Sequence, residues 1–240
     1  MGVVVSWAAL VLALASLAAV VLTGPGYRMG LWGVKGGVQA MGIGAIAAGV
    51  AGVLGLIGLL LLLGSAAGQA RWMSVAALVL GLGIAVPLLM QGARAKKLPR
   101  IHDISTMPDE ALPFVAVLPL RQGAPNSVAH DAKVAAAQKK GYPDLAPLML
   151  KLPPAQAYER AERAARTMSW EVVAADAKDM RIEATSTSLL FGFKDDVIIR
   201  ISAAPEGSRV DMRSSSRVGI SDLGVNAGRI RAYFTKLSAS

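Results

Sequence analysis

The chain has 240 residues, of which 54% are apolar and only 17% charged, with a net charge of +9. Soluble domains carry about 25% charged residues, so one ordinary soluble domain does not account for this composition. No cysteine is present, which excludes disulfides, thiolate metal sites, cysteine nucleophiles and palmitoylation. A basic chain raises the prospect of nucleic acid, but with 5% aromatic residues stacking platforms are few.

The average divides near residue 93. Residues 1–93 hold no Asp or Glu and three basic residues, Arg28, Lys35 and Arg71, whereas everything beyond carries 22 basic and all 16 acidic residues. Three uncharged runs, 3–23, 38–64 and 73–90, number 21, 27 and 18 residues, against the roughly 20 needed to cross the hydrocarbon core. They predict a three-helix transmembrane anchor over 1–93, with Pro87 near the end of the third span. The first run lacks a basic leading segment and no soluble mature chain follows it, so it reads as a span rather than a cleaved signal peptide. Gly44, Ala48 and Gly52 recur every fourth residue. That seam permits close helix packing, either among the chain's own helices or in self-association. No ionisable residue lies within a span, against a proton relay or coupled transporter.

With three spans, the 24–37 loop and the C-terminal part share one side. Arg28, Lys35, Arg94, Lys96, Lys97 and Arg100 lie there, against Arg71 alone on the other. The asymmetry is expected to place the soluble part in the cytoplasm. The cluster Arg94, Lys96, Lys97 and Arg100 is a candidate contact with anionic lipid head groups, and serves equally as a stop-transfer anchor.

Residues 94–152 read as a basic juxtamembrane segment and an extended arm, because nine of the twelve prolines fall between 99 and 154. Phe114, Val115, Val117, Leu118 and Leu120 need burial, so the arm wraps the domain. A short helix is expected around 131–140, ended by Gly141 and Pro143. Residues 153–240 form the α+β core. A helix runs from Pro153-Pro154 to about Ser169 through Ala157, Ala161, Ala164, Ala165 and Met168. Four strands follow, over 170–175, 181–188, 197–203 and 209–215, with Ile182, Ala184, Val197, Ile199, Ile201, Val210 and Met212 inward. The last helix begins after a Ser221 or Asp222 cap, with a stripe of Leu223, Ala227, Ile230, Phe234 and Leu237. The fold class is thus a three-helix transmembrane anchor followed by a small α+β domain. Its antiparallel sheet of about four strands has helices packed on it and a Pro-rich arm before it.

Several blocks in order resemble a bacterial family known as domain of unknown function 1499. They are Ile101-His102-Asp103-Ile104-Ser105-Thr106, Arg181-Ile182-Glu183-Ala184-Thr185 and Phe191-Gly192-Phe193-Lys194-Asp195-Asp196-Val197, then 211–218 and Ser221-Asp222-Leu223-Gly224-Val225-Asn226. The resemblance spans about 98–238. Met107 departs from it, where similar sequences often carry an acidic residue. Similar chains occur with several spans and also with a signal-type anchor, which would place the domain on the periplasmic side. The resemblance implies domain bounds and no reaction.

Candidate chemistry is sparse. His102 and Asp103 are the candidates for acid–base work. With Ser105 they could form a hydrolase triad, but no GxSxG turn presents a nucleophile. His102 and His130 with Asp103 and Asp131 lack metal-ligand spacing, and no phosphate-binding glycine loop occurs, so neither metal nor cofactor is expected. The richer set is Arg213, Arg217, Asn226 and Arg229, with Lys194, Asp195, Asp196 and Asp222. It reads as an anion pocket aided by the backbone donors of Ser221–Gly224, or as an ion-pair network tying the last strand to the last helix. Phe191-Gly192-Phe193 reads as a bend with packed rings, and the two aspartates that follow weigh against nucleic acid. The expected function is a non-enzymatic membrane-anchored scaffold or binding module of the cell envelope. The alternative is a membrane-associated enzyme or assembly factor acting on an anionic lipid or lipid-linked substrate.

Overall fold

The computed structural model describes residues 1–239, in two compact units: 1–97 with Leu189–Gly192, and Leu98–Ser188 with the chain from Phe193 on. The first unit holds three helices, α1 (Gly2–Arg28), α2 (Val34–Leu61) and α3 (Gly68–Ala95). All three are long and apolar enough to cross a membrane. At about 1.5 Å per residue each reaches ~40 Å, more than the ~30 Å of a hydrocarbon core. They pack inside out by the standards of a soluble protein. Ala9, Ala13, Ala48, Ala51 and Ala77 are buried, while Val4, Trp7, Ile43, Ile46, Val53 and Val79 are exposed. Small residues bring backbones together where lipid tails solvate the larger side chains.

The small-residue seam faces helices of the same chain. A Cβ on Gly44 would stand 2.8 Å from Val20, and one on Gly55 2.7 Å from the Ser74 carbonyl oxygen. Ala48 is fully buried. A Cβ on Gly52 would press on Leu82, and one on Gly81 would strike the backbone of α2 at Ala48 and Gly52. Ser74 Oγ donates to Ser6 Oγ at 2.8 Å, and Ser6 Oγ in turn donates to the Gly2 carbonyl. This gives the bundle one internal polar rung.

The second unit contains α4 (Ala132–Gly141), α5 (Pro154–Arg166) and α6 (Val225–Ala239). Its strands are β1 (Asp103–Ser105), β2 (Leu148–Leu150), β3 (Glu171–Asp176), β4 (Arg181–Thr187), β5 (Lys194–Ala204) and β6 (Gly207–Ser216). The sheet is antiparallel in the order β1-β6-β5-β4-β3, and β2 also pairs with β6. It therefore has six strands rather than about four. The arm supplies both additions: β1 pairs with 213–215 and β2 with 208–210, so the two cover one edge of β6 end to end. β1 is buried at all three positions, and a strand of three residues, as β1 and β2 both are, is too short to show a period-2 signal. The outer edge of β1 is closed by Gln138 of α4, whose Oε1 accepts from Ser105 N at 2.9 Å while its Nε2 donates to Ser105 O. A side-chain amide here does the work of a further strand.

Alternation along the strands separates two faces. On one, Ile182, Val197, Ile199, Ile201, Val210 and Met212 pack with Ala157, Ala161, Ala164, Ile230, Tyr233 and Leu237 of α5 and α6. On the other, Leu112, Phe114 and Val117 of the arm pack against Ile198, whereas Val115, Leu118 and Leu120, expected to be buried with them, are exposed. Glu183, fully buried, accepts from Val115 N and Val117 N, each at 3.0 Å.

Two boundaries differ from expectation. β5 begins at Lys194, three residues earlier than the apolar run, because Asp195 and Asp196 are paired in the interior. α6 begins at Val225, since Leu223 has φ 54° and lies outside the helix, 46% exposed. Tyr233 rather than Phe234 fills the inward position, its hydroxyl donating to Ala161 O at 2.8 Å. Gly192 takes φ 71° at the bend before Phe193, and Phe191 is buried.

Candidate functional site: buried ion pairs around the sheet

Asp103 on β1 and Arg213 on β6 sit two residues apart in register, near enough to meet diagonally across the pair. Arg213 Nε and Nη2 donate to the two carboxylate oxygens of Asp103 at 2.9 and 2.6 Å. Its remaining donors reach the carbonyls of Leu112 and Val128 in the arm, and its guanidinium lies 4.8 Å from the centre of the Phe114 ring. His130 Nδ1 lies 3.0 Å from Asp103 Oδ2, while its buried Nε2 has no hydrogen-bond partner among the described residues. Burial alone would raise the Asp103 carboxyl, but hydrogen bonds from His130 and Arg213 and the guanidinium charge outweigh it and hold the group below the usual carboxylate range.

Asp196, fully buried, is shared by two arginines. Arg217 donates through Nε at 2.9 Å and Nη2 at 2.7 Å, and Arg121 Nη1 at 2.7 Å. Thr185 Oγ1 adds a bond of 2.8 Å to the same carboxylate. The arginines continue outward into the arm and its surroundings: Arg217 Nη1 donates to Leu120 O, and Arg121 to Asn126 O and Ser215 O. Asn126 Nδ2 then holds the carbonyls of Ser216 and Gly219.

Asp195 joins a different group. Arg229 of α6 pairs with it at 2.6 Å, and also donates to Ser214 Oγ and Asn226 Oδ1. Asn226, fully buried, donates through Nδ2 to His102 O and Ser216 Oγ. Asp222 bonds to no arginine. Its carboxylate accepts from Gly224 N at 3.1 Å and Asn226 N at 2.7 Å, so donors expected to await an anion are already occupied. Burial raises the Asp222 carboxyl, and the nearby Asp195 charge raises it further against the pull of those backbone donors.

The predicted residues are therefore distributed. Arg213 joins Asp103 and Arg217 joins Asp196, while Asn226 and Arg229 assemble with Asp195, the neighbour of Asp196 along β5. Lys194 is exposed. His102 contributes its carbonyl, which accepts from Ser216 N and Asn226 Nδ2. Ser105 Oγ accepts from Met107 N, and no relay joins Ser105 to the two neighbours named with it. Among the described residues no group of three or more His, Asp or Glu could hold a metal ion. Sequence reasoning missed Arg121, His130 as the partner of Asp103, and Glu183. Each lies far along the chain from what it touches, and no local motif marks it.

A family model described as "Protein of unknown function" (DUF1499) matches residues 118–237. That stretch takes in Arg121, His130, Asp195, Asp196, Arg213, Arg217, Asn226 and Arg229, and begins after His102 and Asp103. No curated protein and no solved structure matches the chain.

Proposed function

The chain belongs to the DUF1499 family of proteins of unknown function, and from that premise we propose that it is a non-enzymatic, membrane-anchored scaffold or binding module of the bacterial cell envelope. Its α+β domain is held at the cytoplasmic face of the inner membrane. Three apolar helices support the anchor, and the excess of basic residues around 28, 35 and 94–100 supports the cytoplasmic side. Exposed Arg94, Lys96, Lys97 and Arg100 supply a contact for anionic head groups.

The observation that carries the non-enzymatic reading is the mutual pairing of the acidic and basic residues. Asp103, Asp195 and Asp196 are each bonded to buried or nearly buried arginines, and each guanidinium also donates to the arm or to the β6–α6 region. Such groups fix one fold and are not free to bind or to exchange protons. Replacing Arg217 with Ala tests this. The expected result is a lower unfolding temperature of the detergent-solubilised chain with an unchanged set of co-purifying lipids. A fully stable variant that loses a bound anionic lipid would refute it.

A second reading is an enzyme or assembly factor on an anionic lipid-linked substrate. It draws on Asp103 and His130, whose Nδ1 contact leaves Nε2 unbonded, the arrangement of a general base held by a carboxylate. His130→Gln with unaltered function in cells would count against it.

A further inference from the structure

From the end of β6 into the first turn of α6, residues 218–228 contain one ionisable group, Asp222, which is buried and bonded to backbone. The exposed side chains of this stretch are apolar: Ile220 is 66% exposed, Leu223 46% and Val225 49%. Single exposed apolar residues are ordinary, but three within six positions, with no exposed charge among them, mark an interaction surface. The loop is well fixed. Asp222 N donates to Ile101 O at 3.0 Å, Val225 N to Asp222 O at 3.0 Å, and Leu223 N to Ser221 Oγ at 3.3 Å. Leu223 and Gly224 both adopt left-handed backbone, φ 54° and 84°. A leucine in that conformation costs free energy, and here its side chain gains no interior packing in return.

Chain connectivity says what covers this face. A Cβ on Gly224 would lie 2.9 Å from Leu98 Cδ1, and Leu98 follows α3, which ends at Ala95. Three residues reach at most about 10 Å. The chain thus tethers the loop within that distance, plus one side-chain contact, of the end of α3, which lies five residues beyond the apolar run that ends at residue 90. The intervening positions carry Lys96 and Lys97, with Arg94 before and Arg100 after, all exposed. Apolar side chains flanked by cations suit the boundary between head groups and acyl chains of an anionic leaflet.

We propose that Ile220, Leu223 and Val225 form a lipid-facing loop that dips into the head-group boundary, giving the soluble domain a second attachment to the membrane besides its covalent one. The inference rests on the membrane-anchored reading above. It makes the loop, rather than the arginine groups around the sheet, the part of the domain that meets the bilayer.

The chain has no cysteine, so Leu223→Cys gives a single thiol for a nitrobenzoxadiazole probe. The labelled full-length chain is reconstituted in vesicles of phosphatidylcholine and phosphatidylglycerol, with and without doxyl-labelled lipid. Ile220→Cys and Val225→Cys guard against a local effect at the left-handed position. Glu206→Cys is the control, on the β5–β6 turn; the ten residues of β6 put that turn about 30 Å from Ser216. The loop positions should emit at shorter wavelength than the control and lose at least half of their emission to doxyl lipid, while the Glu206 position loses little. Quenching at all three loop positions no greater than at Glu206 would overturn the proposal. Blue-shifted emission without lipid quenching would overturn it in favour of a second copy or a protein partner. A chain that alkaline carbonate strips from the vesicles would instead overturn the membrane anchor itself.

Discussion

At Asp103, burial and pairing act in opposite directions, and pairing prevails. Its carboxyl lies below the ordinary value of about 3.9, so the native state favours the charged form more than the unfolded chain does. That contribution is complete above about pH 3.9 and is lost as pH falls through the lower native value. Asp103→Asn should therefore weaken the domain at pH 7 by about 3–5 kcal/mol, because Arg213 is left as a buried cation. It should also remove part of the stability loss below pH 4, and urea titrations at pH 7, 5 and 3 measure both effects. Asp222 works the other way. Its raised carboxyl makes the native state bind a proton before the unfolded chain does, so this group adds stability as pH falls from its native value toward about 3.9. The sequence placed both residues among candidates for chemistry. It could not distinguish them, because the deciding partners, His130 and the backbone of 224–226, are set by the fold.

Among the elements, periodicity made legible what is amphipathic and long. The three spanning helices were legible from the length of their uncharged apolar runs, and α5 and the β4–β6 meander from their 3.6- and 2-residue patterns. β1 and β2 escaped because three-residue edge pieces carry no period, and the arm's contacts with the polar sheet face depend on single residues such as Glu183 and Arg121. In α6 the expected Ala227, Ile230 and Leu237 are buried, while Leu223 lies before the helix in left-handed backbone and the i+3 position Tyr233, not the i+4 position Phe234, faces inward. Two predictions belong here. Glu183→Gln keeps the shape of the side chain but weakens a charge-assisted clamp on Val115 N and Val117 N. Trypsin should then cut after Arg121 several-fold faster than in the parent chain. In the anchor, Gly81→Val forces a branched side chain against the α2 backbone. It should cost roughly 1–3 kcal/mol or more in bundle stability, seen as an earlier loss of helical ellipticity on heating in detergent.

For the whole molecule, the 54% apolar content and the +9 charge come from joining an almost uncharged bundle to a domain of ordinary composition. The proposed orientation rests on where the basic residues lie beside the spans. A C-terminal reporter active only in the cytoplasm should give signal, and one active only outside should not. The family match covers residues 118–237, so the three apolar helices are legible from physical pattern alone. The role of the domain depends on whether its charged residues serve the fold or a ligand. A double-mutant cycle between Asp196→Asn and Arg217→Gln, read by urea unfolding of the domain in the solubilised chain, measures that most directly. If the pair serves the fold, each variant is destabilised and the two changes are coupled by at least about 1 kcal/mol. Two variants as stable as the parent, with coupling near zero, would contradict it.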